Sequence, residues 1–230
     1  MTTSIVLLAK EPVEGRTKTR LARTIGEHYS AKMAECFIRD ALTLVSGLNI
    51  GLKSVAYQPE EARDYFRELV KPLLEFSTFP QRGNDPGERL MNVIQHEFSA
   101  GAKHIVLLET DTPTLPSEYI MKAFEGLKKA DFVLGPTYDG GVYLVGASLP
   151  SATPFTAVPW FTPLVFKKMV HNISSAGLKL ALTPPWYDVD TEHGFEMLRS
   201  HLNALTYAGV KDMATHTAAW LATMENHPAR

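Results

Sequence analysis

Among 230 residues there is one cysteine, Cys36, so no internal disulfide forms and a reducing compartment fits. Its place in a helical apolar pattern favours a buried thiol over a nucleophile. Nor is there an apolar run near the roughly 20 residues that a membrane helix needs. The first candidate, Ile5-Val6-Leu7-Leu8-Ala9, stops at Lys10 without a small-residue cleavage pattern, and is expected to be a first strand rather than a signal peptide. An excess of positive charge is missing too: 23 basic residues face 25 acidic ones, a net charge of −2. No global field draws the chain to nucleic acid or to an anionic membrane, so any phosphate site has to be local. Repeats, low-complexity tracts and interdomain linkers are also lacking. These absences lead to the expectation of a single domain over 1–230, cytoplasmic, with no membrane span and no nucleic-acid partner, and they leave the oligomeric state open. A chain of this length buries roughly 70% of its unfolded surface.

What the chain does have is alternation. Strand-like runs at 4–9, 52–57, 74–79, 104–108, 131–135, 142–146 and 178–182 interleave with amphipathic segments at 30–46, 60–70, 88–99, 117–128 and 163–176, and two further helical segments flank Gly209. In the first helix Met33, Phe37, Ala41, Leu44 and Val45 follow one face, a core stripe rather than a cofactor box. The alternation predicts βαβ units with right-handed crossovers, and helices on both faces of a mostly parallel sheet. After Gly135 the turn chemistry of Pro136-Thr137-Tyr138-Asp139-Gly140-Gly141 breaks the rhythm, so the second half is expected to be less regularly wound. The stretch 149–163 carries four of the 15 prolines and reads as an irregular loop able to roof a pocket.

The most informative stretch is Leu107-Leu108-Glu109-Thr110-Asp111-Thr112-Pro113. A buried strand runs out and an aspartate stands at its end, where open α/β sheets bind ligands. A carboxylate there suits a divalent cation that holds nucleotide phosphates, and a helix cap is the competing reading. The loop 11–20 ends in Arg16, Lys18 and Arg20 at alternate positions. It could grip a pyrophosphate, lysine acting as a point charge and arginine as a planar fork, with donors from the following helix N-terminus. It lacks the Gly-x-x-x-x-Gly-Lys-Ser/Thr phosphate loop, and a solvated basic loop is the competing reading. In the stretch from Gln81 through Gly83, Asp85 and Gly87 to Arg89, glycines allow close backbone approach and polar side chains could read a base or ribose, against an ordinary capped turn. Asp139-Gly140-Gly141 could bring a ligand up to a carboxylate and backbone donors, against a plain hairpin turn. In Asp188-Val189-Asp190-Thr191, Thr191 can cap a helix and leave Asp190 facing the crevice. Asp111 and Asp190 could then bracket one metal, with Lys18 and Arg20 on the far side of a metal-nucleotide. Trp160 and Trp186 are candidates for an acceptor wall, against simple packing.

Together these residues resemble the bacterial family-A glycosyltransferase-like, or nucleotide-diphospho-sugar transferase-like, proteins, a branch of the superfamily that includes molybdenum-cofactor nucleotidyltransferases. The likeness runs from Ile5 to about Leu198. The family's opening looks like Ala9-Lys10, Pro12, Gly15 and Lys18-Thr19-Arg20-Leu21-Ala22. Its Asp-x-Pro matches Asp111-Thr112-Pro113, its GP-x-x-DGG-x-Y-L-x-G matches Gly135 through Gly146, and its late DVDT matches Asp188 through Thr191. Glu14 replaces a usual proline, Glu109 stands where glycine is common, and Asn84-Asp85-Pro86 differs from the usual Gly-Asp-Leu.

The resemblance implies an α/β, GT-A-like three-layer α/β/α sandwich with a mostly parallel sheet. It also implies a nucleotide or nucleotide-sugar donor, and Mg²⁺ or Mn²⁺ at Asp111 with help from Asp190. Nucleotide or phosphate contacts are expected from Ala9, Lys10, Gly15, Arg16, Lys18, Arg20, Gln81, Gly83, Asp85, Gly87 and Thr110, and substrate contacts from Asp139, Gly140, Gly141 and Trp160. The leading expectation is a metal-dependent glycosyltransferase with an unknown acceptor. In it Lys18 and Arg20 stabilise the leaving diphosphate and Asp139 is the general base, with Glu109 in reserve. The alternatives are a nucleotidyltransferase that joins a nucleoside triphosphate to a phosphorylated acceptor, and a non-catalytic nucleotide-binding protein.

Overall fold

Unbroken apolar runs make strands that are buried on both faces. In β1 (Thr3–Lys10) the side chains alternate, Ile5, Leu7 and Ala9 packing into one core and Val6 and Leu8 into another. The computed structural model describes residues 2–226; Met1 and residues 227–230 of the expected 1–230 domain lie outside the described residues. The remaining strands are β2 (Leu52–Gln58), β3 (Phe76–Pro80), β4 (His104–Glu109), β5 (Phe132–Pro136), β6 (Val142–Ala147) and β7 (Leu180–Leu182). They form one seven-stranded sheet in the order β3-β2-β1-β4-β6-β5-β7. β6 alone runs antiparallel to its neighbours, and every other pairing is parallel. A parallel return would need a crossover of a dozen or more residues, which residues 137–141 are too few to supply, so β5 turns straight back into β6.

The helices are α1 (Thr19–Ile25), α2 (Glu27–Ser46), α3 (Arg63–Val70), α4 (Pro86–Ser99), α5 (Ser117–Leu127), α6 (Val165–Ser175), α7 (Glu192–Tyr207) and α8 (Thr215–Asn226). Apolar faces of α2, α3 and α5 cover one side of the sheet, and those of α4 and α6 cover the other. This is the expected three-layer α/β/α sandwich. Leu21 of α1, Met33 and Phe37 of α2, and Phe195, Leu198 and Leu202 of α7 gather with Leu221 of α8 into a third, smaller core. Among the described residues no helix is long and apolar enough to cross a membrane.

Several boundaries differ from the sequence expectation. A separate short helix, α1, follows the basic loop and is broken from α2 by Gly26 at φ 87°. Leu74 is almost fully exposed and β3 starts only at Phe76, because Leu73 still belongs to the turn that closes α3, its N–H donating to Val70 O. Cys36 is half-buried on α2, and burial, with Asp40 and Glu35 nearby, pushes its thiol up to about 11. The sequence suggested a buried thiol; the structure leaves it half-buried, with the raised value disfavouring a thiolate nucleophile.

One buried carboxylate fastens the end of the fold. Asp40 of α2 is 5% exposed and accepts the backbone N–H of His216 at 2.8 Å, the N–H of Thr217 at 2.9 Å and the Thr217 hydroxyl at 2.5 Å. A negative charge at the first turn of α8 satisfies donors that the helix leaves open. Asp40→Ala strands these donors and is expected to cost about 2 kcal/mol. In a thermal melt that is a fall of roughly 4–8 °C in Tm for a domain of this size; an unchanged melt shows that α8 is held by apolar packing alone.

Candidate active site

At the carboxyl ends of the parallel strands lies a cavity of about 830 Å³. The expected residues Ala9, Lys10, Arg16, Lys18, Arg20, Gln81, Thr110, Asp111, Asp139, Gly141, Trp160 and Asp190 line it. Gly15, Gly83, Asp85, Gly87 and Gly140 are outside that lining, and two of them have other structural roles. The Asp85 carboxylate caps α4 by accepting the Glu88 N–H at 3.0 Å, the capped-turn reading of that stretch. Gly140 sits at φ 91°, and a Cβ there would collide with the Pro163 carbonyl. Its missing side chain lets the β5–β6 turn pack against the segment that leads into α6.

The basic loop is folded on itself. The Thr17 hydroxyl donates to Glu11 O at 2.9 Å and accepts the Val13 N–H at 3.1 Å, while the Lys10 ammonium donates to Arg16 O at 2.7 Å. Arg16 and Arg20 remain exposed beside the cavity. On the strand side, Gln81 is oriented by Gln58, whose Nε2 donates to it at 2.7 Å, and by its own donation to Ala56 O at 2.8 Å.

Lys18 points inward. Its side chain is 11% exposed, and its ammonium lies 3.0 Å from Asp111 Oδ2 and 2.5 Å from Asp190 Oδ1. Burial alone would lower this ammonium, but the two carboxylates outweigh that and hold it above its usual range. The carboxylates themselves move in opposite directions. Burial raises Asp111 despite Lys18, whereas the Lys18 charge lowers Asp190, which is closer to the ammonium and more exposed. Beneath them burial, then Asp111, pushes Glu109 up to about 8. Burial, with Asp111, Asp139 and Asp190, pushes Asp188 up to about 7. Crowded carboxylates with little water between them resist full ionisation.

Two loops frame these groups. Val189 N–H donates to Asp111 O at 3.0 Å, and the Tyr187 hydroxyl meets Thr114 Oγ1 at 2.6 Å and His201 Nδ1 at 2.9 Å. Thr191 caps α7 as expected, accepting the Gly194 N–H at 3.3 Å. On the opposite wall Asp139 is exposed, its Oδ1 accepting the Thr137 hydroxyl at 2.5 Å and the Gly141 N–H at 3.0 Å. Trp160 lines the cavity, whereas Trp186 packs among Tyr119, Tyr187 and His201, the packing alternative for that residue.

Among the lining residues to which the sequence reading gave no role of their own are Arg89, Phe161 and Asp188. Asp188 had a readable signal, because Asp188 and Asp190 flank the fully buried Val189 and in an extended segment alternate residues share a face. Arg89 follows Pro86 by one helical turn on α4, so the two meet the cavity together. Phe161 carries no sequence signal; it is 93% exposed and sits at φ 64°.

Comparison with known proteins agrees with this architecture. Curated proteins give no match. A solved protein from Desulfovibrio desulfuricans G20, provisionally named a nucleotide-diphospho-sugar transferase, has a TM-score of 0.85 and 27% identity over 98% of this chain and 96% of its own. The 4-diphosphocytidyl-2C-methyl-D-erythritol synthase of Anaerococcus prevotii DSM 20548 has a TM-score of 0.60 at 10% identity, covering 88% of this chain and 96% of its own. A CMP:2-keto-3-deoxy-manno-octonic acid synthetase complexed with CTP has a TM-score of 0.57 at 11% identity, covering 89% and 99%. These likenesses give the fold, that of the nucleotide-diphospho-sugar transferases. Residues 44–162 match the family model "Uncharacterized protein conserved in bacteria (DUF2064)", and the chain is a member of that family.

Proposed function

We propose that this protein is a nucleotide-utilising transferase and, within that class, a glycosyltransferase that takes a nucleotide-diphosphate-sugar donor with Mg²⁺ or Mn²⁺. One observation carries the reading: the basic loop, the strand-end carboxylate Asp111 and Asp190 from the segment before α7 meet in a single cavity at the carboxyl ends of the strands. The provisional name of the Desulfovibrio protein supports the sugar donor.

The donor set fits a hard cation. One oxygen from each of Asp111 and Asp190 converges on a common point, and Mg²⁺ is commonly held by one or two carboxylates with substrate phosphates and water completing the shell. Among the described residues no group of three or more His, Cys, Asp or Glu side chains forms a closed metal cage, so phosphate and water would supply the remaining ligands. When bound, the cation offsets the charge that builds on the leaving diphosphate. Arg16, Arg20 and Lys18 bind and orient the phosphates, adding fixed positive charge where the transition state needs it. Asp139 faces the acceptor side. With Oδ1 engaged by Thr137 and Gly141, its Oδ2 takes the proton from an acceptor hydroxyl, and Glu109 stands in reserve. A nucleotidyl transfer is the second reading, favoured by the cluster of cationic side chains around the cavity, Lys10, Arg16, Lys18, Arg20 and Arg89, which suits a highly charged triphosphate.

A thermal-shift panel of nucleoside triphosphates, diphosphates and nucleotide sugars, each with and without Mg²⁺ or Mn²⁺, tests the class. Ligand at 100 times its Kd adds about 2.7 kcal/mol, so one nucleotide family is expected to raise Tm by roughly 5–10 °C only with metal. A sugar conjugate ranking first supports glycosyl transfer and a triphosphate ranking first supports nucleotidyl transfer, while silence across the panel removes the donor site. Asp111→Asn is expected to abolish the metal-dependent part of the shift and of turnover while the unliganded circular dichroism spectrum is unchanged. Full metal dependence in that variant removes the metal role of Asp111.

A further inference from the structure

Lys18 is committed twice. The function proposed above needs its ammonium on the donor phosphates and needs Asp111 and Asp190 on a cation, yet here the ammonium closes the carboxylate pair, 3.0 Å from one and 2.5 Å from the other. We propose that Lys18 is a tethered stand-in for the divalent cation, holding the carboxylates shut until an incoming diphosphate draws the ammonium away, so that diphosphate and cation bind as a linked pair. This rests on the donor-site reading.

Four observations support it. The contact is specific, since the ammonium meets an oxygen from each of two separate chain segments rather than one surface partner. It is sheltered: the side chain is 11% exposed and the ammonium lies 5.7 Å from the Phe37 ring centroid, within cation–π range. The backbone is held in a costly conformation, since Lys18 sits at φ 50° and ψ 42°, a left-handed region that disfavours a side-chain-bearing residue. Such strain persists where surrounding contacts over-determine it, and releasing the ion contacts lets it relax. Finally, an alternative anion site is at hand: Arg16 and Arg20, two residues to either side, are exposed and line the same cavity. A phosphate held by them arrives next to Lys18.

The ligand class follows from the charge count. One ammonium cannot neutralise two carboxylates, whereas a divalent cation can, but the ammonium is covalently tethered and competes at a high effective concentration. If the carboxylate pair is open about 1% of the time, the apparent affinity for a cation falls about 100-fold. A ligand that relieves this must satisfy Lys18 and also offer oxygens to the cation. Adjacent phosphates do both, because a metal can bridge the oxygens of neighbouring phosphoryl groups. A monophosphate is therefore a weaker key than a diphosphate.

The test is Mn²⁺ binding to the full chain by isothermal titration, comparing wild type with Lys18→Met, which keeps the stem over Phe37 and removes the charge. Without any phosphate ligand, Lys18→Met is expected to bind Mn²⁺ about tenfold tighter or more, and adding Asp111→Asn is expected to abolish that gain. Equal affinity in wild type and Lys18→Met overturns the stand-in role while leaving the donor site intact. No Mn²⁺ binding to either protein, even with inorganic pyrophosphate, overturns both readings. A second measurement on wild type covers a Lys18→Met chain that fails to fold: the NMR signal of the Lys18 side chain at fixed Mg²⁺, with and without inorganic pyrophosphate. Displacement that requires pyrophosphate supports the linkage, and equal displacement without it overturns the proposal.

Discussion

A buried ammonium is tolerated only where anions surround it, and that requirement organises the carboxyl-terminal edge of this sheet. Lys18 follows β1, Asp111 follows β4 and Asp190 precedes α7, so three segments distant in sequence meet on one charge. The loops carrying the two aspartates are joined by neutral contacts as well, from Val189 N–H to Asp111 O and from the Tyr187 hydroxyl to Thr114. These short bonds set the distance between the carboxylates. Lys18 is then placed by them as much as by its own loop, which explains why its backbone accepts a positive φ.

The cavity is electrostatically divided. Arg16 and Arg20 stand exposed at one side, and at the base four carboxylates, Glu109, Asp111, Asp188 and Asp190, face one largely buried lysine, with Asp139 exposed on the opposite wall. Such crowding is relieved partly by protonation, since burial and mutual repulsion raise Glu109 and Asp188. For Glu109, burial and the neighbouring Asp111 both disfavour the ionised carboxylate. The far wall, with Trp160, Phe161 and Pro163, is instead largely uncharged.

Much of this was legible in the sequence because the signals were local. Uninterrupted apolar runs gave the strands, and an aspartate placed where one of them ends gave Asp111. Thr191 read correctly as a cap because the residues around it form a local motif. Other features depend on partners far along the chain. Whether Lys18 reaches outward to solvent or inward to Asp111 and Asp190 is decided by how β1, β4 and the segment before α7 are laid side by side. Gly83, Gly87 and Gly140 looked like room for a ligand, but each faces protein atoms at close range, Gly83 the start of α4, Gly87 Phe155 and Gly140 Pro163. Short α1 was hidden because the basic loop and the start of the helix share the same polar composition.

The reversal of β6 has a consequence for how the two walls are wired. Since β6 leads away from the cavity, the chain after Ala147 has to travel back along the sheet before Trp160 can reach the same opening. Phe155 and Val158 anchor that return path in the core beneath α4 and α6, and no strand pairing fixes its length. The wall formed by the basic loop has no such slack, since it follows directly on β1, which is held between its parallel neighbours β2 and β4. The fold thus separates an inflexible half from an editable one: insertions between residues 148 and 153 can reshape the wall opposite the basic loop while leaving the register of every strand unchanged.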